Sequence, residues 1–239
     1  MENQNSKTGQ WIAIAIIIAS LLISGSILYT KFGVNPGGGG TAIENGQPGK
    51  KNVDVANVDI VGDPFIGNEN APAVMAYWSD YQCPFCKRHE ELVMPQIVKN
   101  YVDSGKLKIV FKDYAFLGPD SQRISRYARG VWEVAPQKYY TWYKAMFDNQ
   151  GDENTGWATD VKIMSITINA IGATDAQKVS ALTRSKGDEY QKRIDMNKAE
   201  GTSMGVDGTP ASIIGKQIVV GAQSYDTFKS AIDAALAGK

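Results

Sequence analysis

Only two of the 239 residues are cysteine and only one is histidine. That scarcity argues against a four-ligand zinc site built within one chain, and it confines any thiol chemistry to one place. Charge of either sign is also lacking in excess. The 25 Lys and Arg balance the 25 Asp and Glu, so no basic surplus points to a nucleic-acid partner. Between Lys7 and Lys31 there is no charged residue at all.

From Trp11 to Tyr29 the sequence is almost continuously apolar, close to the roughly 20 residues a bilayer-spanning helix requires. The segment reads as an uncleaved anchor, because the apolar run resumes through Ile27, Leu28 and Tyr29. A cleaved signal peptide is the alternative, since Ser24-Gly25-Ser26 supplies small residues after an apolar core. Either way the rest of the chain is exported. The flanking lysines are too sparse to set orientation. Gly33 to Asn52, with Gly37-Gly38-Gly39-Gly40, buries too little apolar surface to fold and reads as a tether. The expected organisation is a tail (1–10), an anchor or signal segment (11–30), a flexible linker (31–52) and one folded domain (53–239).

What the chain does have is Tyr81-Gln82-Cys83-Pro84-Phe85-Cys86-Lys87-Arg88-His89. An apolar, strand-like run (Ala73 to Ser79) leads into it and a helix-like run (Lys87 to Tyr101) leads out. Cys83 therefore falls at a helix start, where unsatisfied N–H groups and the helix dipole stabilise a thiolate. Cys86 lies one turn further along the same face, within bonding reach. The pair reads as a redox-active dithiol. As an inert structural bridge it would close so small a loop that it restricts few unfolded conformations. His89 reads as a surface histidine, given its Lys-Arg-His-Glu-Glu neighbourhood, and stays outside the catalytic set.

Val53, Val55, Val58 and Ile60 suggest a short first strand broken by Gly62-Asp63-Pro64. Pro95 should kink the helix after the dithiol. Leu107, Ile109 and Phe111 alternate with Lys108, Val110 and Lys112, predicting a strand with one buried and one partly polar face. Strand, helix, strand makes a parallel, right-handed βαβ unit. From about 119 to 197 helix signals take over, rich in aromatics that read as core, with Thr174 as a cap for one helix. Strand character returns at Ala211 to Ile214 and Ile218 to Val220, a hairpin turning at Gly215-Lys216. Ser224 caps a final amphipathic helix.

The stretch from Ser79 to Cys86, the inserted helices and the late Gly208-Thr209-Pro210-Ala211, in this order, resemble the DsbA-like thiol–disulfide oxidoreductases of the thioredoxin superfamily. The likeness runs from about Asn52 to the C-terminus. It implies an α/β thioredoxin-like fold with an inserted helical subdomain. It further implies Cys83 as the exposed nucleophile, Cys86 as its buried resolving partner, and Pro84 and Phe85 as tuners of the potential. Pro210 would be cis, and Thr209 would contact the dithiol and bound peptide through its backbone. One departure stands out: many relatives carry an acidic residue six positions before the first cysteine, where this chain has Tyr77. Asp80, nearer the dithiol, is the candidate substitute for proton transfer at Cys86.

The expected function is thus a membrane-anchored, extracytoplasmic oxidase that donates the Cys83–Cys86 disulfide to thiols of exported proteins, with no cofactor beyond that disulfide and no metal. The resemblance implies reoxidation by a membrane-bound, quinone-linked partner. A monomer is expected. A reductase or isomerase using the same dithiol is one alternative, and a tethered peptide-binding or chaperone module is the other.

Overall fold

A computed structural model of the chain describes residues 53–238; the expected tail, anchor and linker lie outside them. Among the described residues no helix is long and apolar enough to cross a membrane. In chain order the strands are β1 (Phe65–Ile66), β2 (Ala73–Ser79), β3 (Leu107–Asp113), β4 (Ala211–Ile214) and β5 (Gln217–Val220). Helices α1 (Pro84–Leu92) and α2 (Met94–Ile97) separate β2 from β3. The run α3 (Pro119–Val134), α4 (Tyr139–Asp148), α5 (Asp160–Ile171), α6 (Ala173–Ser185) and α7 (Gly187–Ser203) lies between β3 and β4, and α8 (Tyr225–Leu236) follows β5.

The sheet order is β1-β3-β2-β4-β5, which puts β2 at its centre. β2 and β3 run parallel from Ala73 opposite Leu107 to Ser79 opposite Asp113, joined by the helical crossover that the βαβ pattern predicts. The other pairings are antiparallel. Side chains alternate across a strand. Met75 and Tyr77 therefore enter one apolar cluster with Cys86, Phe111 and Phe228, while Ala76 and Trp78 enter a second with Val206 and Ile213. The inserted helices contribute their aromatics to the first cluster: Tyr139, Trp142, Tyr143 and Phe147 are all buried.

Local chemistry explains where the elements stop. The helix after the dithiol breaks at Val93, and Pro95 sits in the first turn of α2, where its missing N–H costs nothing. Gly215 turns the β4–β5 hairpin at φ 54°, a left-handed conformation open to glycine. Ser224 caps α8 through the Thr227 N–H.

Three expectations are corrected. Residues 53–60 form no strand: Asp54 accepts the Ala56 N–H and winds Val55–Asn57 into a 3₁₀ turn, while Val58 packs into the second cluster. The first strand is β1, only a two-residue pairing onto β3. Thr174 does not cap α6, which starts after Gly172 and holds Thr174 in its first turn. Nor does the partly polar face of β3, with Lys108 and Lys112, meet solvent: the strand is buried on both faces. Lys112 is 1% exposed because its Nζ meets Asp63 at 2.6 Å and Glu200 at 2.9 Å. Asp63 also takes Arg129 at 2.6 Å and Arg193 at 3.0 Å. Burial works against its charge, but these three cations outweigh it and hold the carboxyl at about 2. The network ties the loop before β1 and strand β3 to helices α3 and α7.

Candidate functional site

The dithiol sits where β2 ends. Asp80, immediately after the strand, accepts four hydrogen bonds: from the N–H groups of Gln82 (2.8 Å), Phe116 (2.9 Å) and Leu117 (3.0 Å), and from the Ser121 hydroxyl (2.5 Å). The Gln82 amide donates to the Leu117 carbonyl and the Ser121 hydroxyl, and its oxygen accepts the Asn154 N–H. From the end of α4, the Gln150 amide donates to the carbonyls of Tyr81 (2.8 Å) and Cys83 (3.1 Å). The turn that presents the cysteines is thus fixed from the insertion. Tyr81 anchors it on the apolar side, stacked on Phe147 with ring centroids 5.3 Å apart.

Cys83 is the N-cap of α1 and Pro84 its first residue. Because the cap side chain closes no hydrogen bond of its own to the helix, its sulfur is left to face the open N–H groups of the first turn. β4 begins at Ala211, directly opposite Trp78, so the residues just before it arrive beside the end of β2. The Thr209–Pro210 peptide is cis, and the Cys83 thiol donates to the Thr209 carbonyl at 3.4 Å. The two thiols are not bonded to one another. Their acidities diverge. Cys83 is lowered to about 6, first by hydrogen bonding with Cys86, then by the Thr209 side chain and the N–H groups of Cys86 and Phe85, against the opposing effect of burial. Burial pushes Cys86 well above the ordinary thiol range, and the neighbouring Cys83 sulfur adds to the effect.

The structure brings together all six residues singled out from sequence: Cys83, Pro84, Phe85, Cys86, Thr209 and Pro210. Pro84 and Phe85 are exposed, Phe85 by 55% with Arg88 over its ring, and Pro210 is buried. Cys83 itself is more covered than expected, with 4% exposure against 0% for Cys86, because the Thr209 loop closes over it. Asp80 has both oxygens committed to the turn, where it organises the loop. One further reading is overturned. His89 is wholly buried, against the Tyr77 ring at 5.2 Å and the Phe228 ring at 4.7 Å, and burial lowers it to about 4.

Sequence reasoning passed over Gln82, Gln150 and Glu90. The glutamines have no local signature, since their partners lie far along the chain. Glu90 had one: Cys86, His89, Glu90, Val93 and Ile97 recur at helical spacing and form the inward stripe of α1–α2. A groove of about 570 Å³ between α3, α5 and α6, lined by Tyr127, Val161 and Met164, includes neither sulfur.

Comparison with known proteins agrees with this architecture. A family model described as Thioredoxin matches residues 59–234. The disulfide bond formation protein D of Bacillus subtilis is 23% identical over 180 residues, covering 75% of this chain and 80% of that protein. Among solved structures, oxidised BdbD from Bacillus subtilis superposes with a TM-score of 0.66 at 22% identity, covering 74% of this chain and 95% of that one. The thiol-disulfide exchange protein alpha-DsbA2 from Wolbachia pipientis gives 0.62 at 26% identity, over 73% and 87%.

Proposed function

The chain belongs to the thioredoxin family as a DsbA-like thiol–disulfide oxidoreductase, and from that premise we propose that it is an oxidase donating the Cys83–Cys86 disulfide to exported proteins. The observation that carries the direction is the split between the two thiols: Cys83 falls to about 6 while Cys86 is raised. Stabilising the Cys83 thiolate stabilises the reduced protein, which makes its disulfide more oxidising.

The substrate thiolate attacks Cys83 Sγ, the Cys83–Cys86 bond breaks, and Cys86 leaves. A second substrate thiolate then attacks the substrate sulfur of the mixed disulfide and expels Cys83, a good leaving group because its thiolate is stabilised. Two electrons pass from the substrate sulfurs to the dithiol. Thr209, whose carbonyl faces Cys83, would meet the bound peptide through its backbone, and exposed Phe85 and Pro84 would offer it apolar surface while tuning the potential. Both sulfurs are covered, but exposed Pro84 and Phe85 between them mark where a polypeptide substrate would approach.

We further place this domain outside the cytosolic membrane, tethered as a monomer by residues 11–30 and the linker 31–52, with a membrane-bound quinone-linked protein regenerating the disulfide. A tether beside such a partner raises the effective concentration for reoxidation. The deciding experiment equilibrates the protein in glutathione buffers and reads the dithiol by alkylation and mass. A potential well above the glutathione couple is expected; a value near thioredoxin's assigns a reductase instead.

A further inference from the structure

Cys83 is an N-cap whose side chain closes no hydrogen bond to its own helix. A capping Ser or Asp fixes its own backbone by bonding the first-turn N–H groups. A sulfur that must exchange partners cannot be tied up that way, so the backbone of Cys83 has to be held from outside. Its N–H donates to the Asp80 carbonyl at 3.1 Å, and its carbonyl accepts the Lys87 N–H at 3.2 Å. A further hold comes from the insertion. The Gln150 amide, half-buried just past α4, donates to the Cys83 carbonyl at 3.1 Å and to the Tyr81 carbonyl at 2.8 Å, which uses both of its hydrogens. Because the Gln82 N–H donates to the Asp80 carboxylate, the Tyr81–Gln82 peptide is held at both ends.

Gln150 is itself firmly placed. Its N–H donates to the Phe147 carbonyl at 3.1 Å, and the Phe147 ring stacks on Tyr81. The next residue, Gly151, lies against the Trp157 indole: a methyl group there would stand 2.7 Å from Trp157 Cγ. The loop then returns to the dithiol turn and to α3. The Asn154 N–H donates to the Gln82 side-chain oxygen at 2.9 Å, and Arg123 donates to the Ala158 carbonyl at 2.8 Å. Residues 150–158 form a bracket that joins the insertion to the turn carrying Cys83.

We propose that Gln150 is a positioning residue of the dithiol: by holding the Tyr81 and Cys83 carbonyls it keeps the Cys83 sulfur facing the first-turn N–H groups, and so makes the disulfide more oxidising. This rests on the reading of Cys83 as the sulfur that substrates attack. That sulfur is faced by Cys86 on α1, by Thr209 before β4 and by Tyr77 on β2; Gln150 acts through the backbone and brings no charge. With Cys83 held at φ −72° and ψ 119°, the N–H groups of Phe85 and Cys86 help to keep its thiol at about 6. Hydrogen bonds weaken steeply as their angle closes, so a turn free to relax gives up part of that stabilisation. A less stable thiolate means a less stable reduced protein and a weaker oxidant.

The test is Gln150→Met in the full-length chain, which keeps the length of the side chain and removes both donors. The pH midpoint for alkylation of Cys83 should rise from about 6 by about one unit, and the dithiol should be up to about tenfold easier to oxidise in glutathione buffers. Gln150→Glu, which puts an acceptor where the donors were, should move both at least as far. A side chain that only props the fold would lower the urea midpoint and leave the alkylation midpoint and the glutathione equilibrium at their wild-type values; that result in Gln150→Met overturns the proposal. Gly151→Ala supplies an independent reading if Gln150→Met does not fold. Its methyl group forces the Trp157 ring and the Gln150 backbone apart, and an unaltered alkylation midpoint there overturns the proposal as well. Failure of the underlying reading is visible in the wild type, where alkylation would favour Cys86. A wild-type equilibrium near thioredoxin's would sink the oxidase assignment alone, since the difference between wild type and Gln150→Met still decides the role of Gln150.

Discussion

The Trp78 indole lies flush against the backbone of Gly201: a methyl group on that glycine would stand 2.7 Å from Nε1, the nitrogen that donates to the Asn197 carbonyl at 3.0 Å. Strand β2 and helix α7 meet here without room for a side chain, and Trp78 is fully buried with nowhere to turn. Gly201→Ala should therefore destabilise the fold by about 1–3 kcal/mol despite its better helix propensity. Urea unfolding measures it, and a variant as stable as wild type would mean that the ring yields.

Cys83 should alkylate with a pH midpoint of about 6, while Cys86 stays protected in the native state. Cys83→Ser should abolish dithiol oxidation, and Cys86→Ala should accumulate mixed disulfides at Cys83, read by mass. Equal labelling of both cysteines at neutral pH would contradict the division of roles.

His89 should make the protein acid-labile. Its imidazole binds a proton near 6.5 when unfolded but only near 4 when folded, so the unfolded state holds more protons between these values. Stability is then lost as pH falls through that window, by about 3 kcal/mol. His89→Leu should flatten this part of the pH profile of denaturant midpoints.

Glu90 should act with the opposite sign. Its carboxyl ionises near 4.5 unfolded and near 8 folded, so stability declines as pH rises from the first value to the second, by about 5 kcal/mol in total. Glu90→Gln should be close to neutral in acid and stabilising at pH 8 in the same unfolding series.

Removing Asp63 would leave Lys112, Arg129 and Arg193 facing one another with a partner missing. Asp63→Asn should cost about 3–5 kcal/mol, the range for breaking a buried ion pair from one side. Thermal unfolding monitored by far-ultraviolet dichroism checks it.

How much of this was legible in the sequence depended on the range of the interaction involved. The dithiol, β2, the Gly215 hairpin and the Ser224 cap are written in consecutive residues, so periodicity and turn chemistry found them. The cis Thr209–Pro210 peptide beside Cys83 came only from resemblance, since most X–Pro bonds are trans. Lys108 and Lys112 misled because a lysine in a strand normally marks a wet face. Burial of Lys112 needs Asp63 and Glu200, which only the folded chain brings near. His89 read as exposed, and Glu90 carried no reading, for a different reason. Their neighbours Lys87, Arg88 and Glu91 are charged and mostly exposed, whereas the phase of the helix puts His89 and Glu90 on the inward stripe.

The Thr209 carbonyl that meets the Cys83 sulfur comes 126 residues later in the chain. A ribosome therefore delivers both cysteines well before the loop that closes over them, and before Gln150 has arrived to fix their turn. In that interval the thiols sit on an unfinished polypeptide, without the surroundings that set their acidities apart. A truncated or half-synthesised chain thus carries the motif before the Thr209 loop and the insertion have been built around it.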